Sequence, residues 1–139
     1  MPDTSCIVPL LASEHVHAAR ASDAIDNRLA RGETMILAAH TLLETYANLT
    51  SAPRGPRPSP AQAVSLLDAF VARATRVVAL DGPAYGALLP RLARRMVAGG
   101  AVYDALIYEC ARTAPVDVLL SFNQRDFARF GTEVRLVVP

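Results

Sequence analysis

Four short apolar runs constrain the fold of this chain more than any other feature: TMILAA (34–39), RVVAL (76–80), VDVLLS (116–121) and EVRLVV (133–138). Each is too short for a buried helix and reads as a buried strand. Longer segments with apolar residues at helical spacing separate them. Strands that alternate with helices in this way predict an α/β chain with a mostly parallel sheet and helices on both faces. In such sheets, binding sites form beyond the carboxyl ends of the strands.

The intervening segments carry their own punctuation. Asp3-Thr4-Ser5 opens an apolar run from Cys6 to Ala12 that reads as a short helix. A helix over 16–31 follows, with Gly32 placed as its C′ residue. The next helix is expected over 41–51, where Thr41-Leu42-Leu43-Glu44 matches a capping box and Leu42, Tyr46 and Leu49 form a core stripe with Glu44 opposite it. APRGPRPSP (52–60) is a Pro-rich loop, and Ser59-Pro60 is an N-cap and N1 pair for a helix to about residue 74. Asp81 caps a helix to about residue 98. A further helix begins near the glycine pair Gly99-Gly100, and Pro115 ends the segment after it. Residues 122–131 form a loop with one helical turn.

One domain over residues 1–139 is expected, since the chain can bury a single core. Hydrophobic residues make up 52% and charged residues 19%, which excludes a disordered chain. No apolar run has the length of a membrane span, and no basic segment leads into an apolar core at the N-terminus; a cytoplasmic protein is the expectation. Cys6 and Cys110 read as reduced, buried thiols without zinc-ligand spacing. His15 and His17 read as surface residues, since no third ligand stands near them in sequence. The net charge of +1 lacks the basic excess of a typical nucleic-acid module. Any such contact would have to come from local arginines: Arg54 and Arg57 in the Pro-rich loop, Arg91, Arg94 and Arg95 at the end of a helix, and Arg125.

Three isolated acids share an unusual setting. Asp3 in PDTSCIVPLL, Glu44 in HTLLETYANL and Asp104 in GGAVYDALIYEC each open an apolar helical run. Taken singly, each has a structural explanation: Asp104 as a first-turn acid, Glu44 as the partner of Thr41. Taken together, they suggest one shared site.

The order of these segments resembles the PIN-domain family, and within it the VapC-type ribonuclease toxins of VapBC toxin–antitoxin pairs. The resemblance is carried by the acid in PDTS, by HTLLETYANLTSAPRG and above all by YDALIYECARTAPVDVLLSFNQRDF. It implies a Rossmann-like α/β sheet. It also implies that Asp3, Glu44 and Asp104 are the acidic metal-binding positions, that Ser5 is a hydroxyl beside the first acid, and that Asn123 stands at a fourth position which is Asp or Asn in relatives. Asp126 competes for that fourth position, but three residues further on it is expected to cap the turn from Phe127 to Phe130. The family strand before the first acid is reduced here to Met1-Pro2, so either the native start lies upstream or the strand is a stub. The implied activity is Mg²⁺-dependent (or Mn²⁺-dependent) endoribonuclease cleavage leaving a 3′-hydroxyl and a 5′-phosphate. The implied partners are an RNA substrate, a VapB-type antitoxin and a second copy of the chain. A PIN nuclease that is not a toxin, and a non-catalytic binding domain, are the rival readings.

Overall fold

A computed structural model describes residues 1–12, 14–51 and 57–139. The elements run α1 (Thr4–Leu11), α2 (Ala18–Ala30), β1 (Ile36–Ala38), α3 (Ala39–Ser51), α4 (Pro60–Val71), β2 (Arg76–Val78), α5 (Gly82–Arg94), α6 (Ala101–Thr113), β3 (Val118–Leu120), α7 (Gln124–Phe127) and β4 (Arg135–Val137). All four expected strands are present, each trimmed to three residues.

The strands form two parallel pairs. β1 pairs with β2 in the register Leu37–Val77, and β3 with β4 in the register Leu119–Leu136. Parallel pairing requires a long crossover between partners, and the helices supply it. Before Asp3 the chain makes a single parallel bridge, Pro2 against Leu120. Leu120 gives its amide to Met1 O at 2.8 Å and accepts the Asp3 amide at 3.0 Å, while the Ser121 amide goes to Val137 O. Successive residues of a strand face opposite edges, so the Met1-Pro2 segment and β4 flank β3 on its two sides.

Alternation across the strands divides the core. Leu37 and Leu120 join Cys6, Ile7, Ile25 and Phe70 on one face; Ala38 and Leu119 join Leu92, Leu106, Ile107 and Phe127 on the other. Both faces are therefore covered by helices, as expected for parallel strands. The two cysteines are free, buried and on opposite faces. No helix among the described residues is long and apolar enough to cross a membrane.

Local punctuation matches the sequence at most termini. Ser59 and Gln62 form a reciprocal capping box, and Asp81 accepts the Ala84 amide at 2.8 Å. Gly32 takes φ +84° just after α2. The expected cap at Thr41 does not form. α3 starts at Ala39, directly from the end of β1, so Thr41 lies inside the helix and Glu44 cannot close back on its amide. The buried stripe of α3 is Thr41, Thr45 and Leu49 rather than Leu42, Tyr46 and Leu49.

Candidate active site

Asp3 sits where the Met1-Pro2 segment turns into α1. It is the N-cap residue, with Oδ1 accepting the Cys6 amide at 3.2 Å, and it is only 2% exposed. A buried carboxylate requires donors. Ser5 Oγ donates to Oδ1 at 2.7 Å and Ser121 Oγ donates to Oδ2 at 2.7 Å. Each hydroxyl in turn accepts a backbone amide from the segment after β3: Phe122 N–H to Ser5 at 2.9 Å, Asn123 N–H to Ser121 at 2.8 Å. The amides occupy the hydroxyl lone pairs, so both hydroxyl protons are directed at Asp3. Burial raises the Asp3 pKa, and the hydrogen bonds from Ser5, Ser121 and Cys6 oppose that rise.

Glu44 lies on the second turn of α3, half-buried, and its Oε2 accepts Thr4 Oγ1 at 2.6 Å. Asp104 occupies the first turn of α6, whose start is set by Gly99 at φ +60° followed by Gly100 at the N-cap. Among the described residues no side-chain or backbone donor reaches the Asp104 carboxylate. Its pKa is raised to about 6, first by burial and then by the negative charges of Asp3, Asp126 and Glu44, with Arg129 opposing. First-turn placement alone would lower it; accumulated negative charge and desolvation prevail.

These three acids line one cleft of about 440 Å³, together with Ser5, Asn48, Ile107, Phe122, Asn123, His15 and His17. Among the described residues no three His, Cys, Asp or Glu side chains already converge on one metal position. The donor chemistry nevertheless fits a hard divalent cation: the acids offer only oxygen, and Asp104 bears repulsion that a cation would relieve.

Asn123 is exposed at the head of α7 and its side chain makes no capping bond. Asp126 does not precede the last turn as a cap. The turn begins at Gln124, one residue after Asn123, so Asp126 falls inside it, where its charge reaches Asp104.

The arginines divide. Arg57, Arg94 and Arg125 are exposed; Arg54 lies outside the described residues. Arg91 pairs with Glu109 Oε1 at 2.6 Å, a carboxylate also held by Arg112 at 2.6 Å. Arg95 donates to Phe130 O at 2.6 Å. Arg91 and Arg95 line a separate 150 Å³ pocket that shares no lining residue with the acidic cleft.

Sequence reasoning did not single out Thr4, Ser121, or His15 and His17 as cleft residues. A single hydroxyl carries no periodic signature; the available signals were Thr4 and Ser5 following Asp3, and a serine closing the apolar run of β3.

A family model described as PIN domain matches residues 1–133. The chain is 35% identical over 140 residues to Ribonuclease VapC40 of Mycobacterium tuberculosis, from strains CDC 1551 / Oshkosh and ATCC 25618 / H37Rv alike. The alignment covers 98% of this chain and 97% of the relative.

Proposed function

The chain belongs to the PIN-domain family, and on that ground we propose that it is a Mg²⁺-dependent endoribonuclease, with Mn²⁺ as a possible substitute, acting as the toxin of a VapBC-type pair. The observation that carries this reading is the convergence of Asp3, Glu44 and Asp104, from three separate elements, on one cleft at the ends of the strands. Near full-length similarity to a protein named as a ribonuclease supports it.

Asp3, Glu44 and Asp104 are the residues that would hold the ion. A divalent cation bound there supplies charge neutralisation at a phosphate and a water acidic enough to attack phosphorus near neutral pH. The chain's own groups prepare the site. Ser5 and Ser121 oppose the rise that burial imposes on the Asp3 pKa and fix its two oxygens. Thr4 fixes one oxygen of Glu44, and among the described residues no donor reaches the other. Asn123 presents an amide at the cleft and brings no charge, so the set holds three carboxylates, with Asp126 adding to the field from α7. Exposed Arg57, Arg94 and Arg125, with Arg54, are the candidate RNA contacts. Arg91 and Arg95 are held in internal contacts. Residues 1–139 form one PIN domain in this reading, working as a homodimer and inhibited by a VapB-type antitoxin.

The test is to incubate purified protein with total RNA, with Mg²⁺ and with EDTA, and to map new 5′ ends. New 5′-phosphate ends that appear only with the cation support the reading. RNA left intact under both conditions would leave a non-catalytic PIN domain.

A further inference from the structure

The acidic cleft continues past Asn123 to the segment between α1 and α2. There His17 stacks on Phe122, ring centroids 4.5 Å apart and planes 18° from parallel. His15 lies against His17 at 5.6 Å, tilted by 44°. The guanidinium of Arg20 sits 5.3 Å from the centre of the Phe122 ring. His15 and Arg20 are exposed, while His17 and Phe122 are half-buried. His15, His17 and Phe122 share the cleft wall with Asp3, Glu44 and Asp104.

We infer that His15, His17, Phe122 and Arg20 form a nucleotide subsite for the RNA next to the phosphate that is cut. This deepens the ribonuclease reading and rests on it. Single-stranded RNA is held by aromatic faces that stack on bases and by cations that track phosphates. The cluster offers the exposed ring of His15 at the cleft wall and the exposed guanidinium of Arg20 next to Phe122. His15 Nδ1 accepts the His17 amide at 3.2 Å, which leaves Nε2 as the donor of the neutral ring. Arg20 gives Nη2 to the Pro139 carbonyl at 2.5 Å and retains further donors.

The subsite is tied to the acids by a hydrogen-bond chain. The Phe122 amide donates to Ser5 Oγ, and Ser5 Oγ donates to Asp3. The base platform and the first carboxylate therefore stand in a fixed relation, as a residue that positions a phosphate over the acids requires. A solely structural role, in which His17 staples its segment to the end of β3, would give no reason for an exposed His15 and Arg20 on the same cluster.

The experiment uses the full chain and a defined single-stranded RNA, and compares His15→Ala, Arg20→Ala, His17→Ala and His17→Phe with wild type. It reads kcat, KM, cut-site distribution, affinity for a 2′-O-methyl analogue of the same RNA, and Tm. The expected result is that His15→Ala and His17→Ala raise KM and weaken analogue binding by about fivefold to a hundredfold, the range of one base stack. They should leave kcat within about twofold, a span under 0.5 kcal/mol by the tenfold-per-1.4 rule. His17→Phe retains the platform and recovers most of the affinity. Arg20→Ala reduces the steepness with which affinity falls with salt. The cut-site distribution shifts in the alanine variants. Active wild type with His15→Ala and Arg20→Ala unchanged in KM, analogue binding and cut sites would overturn the subsite. So would a His17→Ala defect explained by a fall in Tm alone. Failure of wild type to bind or cut any RNA would instead overturn the ribonuclease reading beneath it.

Discussion

The Thr4 hydroxyl donates to Glu44 Oε2 across 2.6 Å, joining two residues forty positions apart on α1 and α3. Thr4 follows Asp3 directly, so the same turn that buries the first acid also orients the second. Thr4→Val removes the donor with little change in volume. The expected effect is a loss of about tenfold to a hundredfold in divalent-cation affinity or turnover, the usual range when a ligand loses its orienting partner. Calorimetric Mn²⁺ titration checks it, and Thr4→Ser should restore most of the binding.

Asp104 without a cation is a source of strain. Its raised pKa of about 6 means that the folded chain resists ionising it, so folding is weakened above that pH and relieved below it. Asp104→Asn keeps the shape and removes the charge. In EDTA at neutral pH the variant should melt a few degrees higher than wild type; about 3 °C per kcal/mol applies to a chain of this size. Added Mg²⁺ should raise the melting point of wild type and leave the variant unmoved. Scanning calorimetry with and without the cation reads both.

Ser121 carries a burden that no periodicity in the sequence announces. Ser121→Ala leaves Asp3 Oδ2 buried without its donor, and the Asn123 amide without its acceptor. The expected cost is about 1–3 kcal/mol in urea unfolding, typical of an orphaned buried polar group. The Asp3 pKa rises further, since one of the bonds that oppose its rise is gone.

The sequence made the architecture legible because strand-length and helix-length apolar segments differ in extent, and because Ser59, Asp81 and the glycines at 32 and 99 mark termini through local chemistry. It misplaced the start of α3. TMILAAHTLL is apolar without interruption, so periodicity cannot say where β1 ends, and Thr41, a competent cap, is instead a buried residue two positions into the helix. Glu44 was accordingly read against the wrong partner. Asp126 is misplaced for a related reason: α7 begins three residues earlier than expected, which moves Asp126 from cap to interior. That the three acids share one cleft was legible through family spacing. Their support, Thr4 and Ser121, depends on contacts 40 and 118 residues distant in sequence.

A pH dependence separate from the acidic cleft comes from Glu109. Arg112 holds its carboxyl below the ordinary range, with burial opposing and Arg91 reinforcing. A depressed folded pKa contributes stability above the unfolded value of 4.5, and that stability is lost as pH falls through the folded value. Glu109→Gln should cost about 1–2 kcal/mol at pH 7, less than a fully buried pair because the arginine heads are partly exposed. The gap to wild type should close as the pH falls toward 3, as followed by urea unfolding across that range. Cleavage per folded molecule should be unchanged.

The central claim is that Asp3, Glu44 and Asp104 act as one cation site that cuts RNA. Single-turnover cleavage of one defined RNA against Mg²⁺ concentration, for wild type and Asp104→Asn, tests it most directly. The account predicts saturable, EDTA-reversible cleavage in wild type, and a rate lowered by about a thousandfold or more in a variant that remains folded, as when a principal electrostatic group is removed from a site. Cleavage by Asp104→Asn at the wild-type rate, or wild-type cleavage indifferent to EDTA, would contradict it.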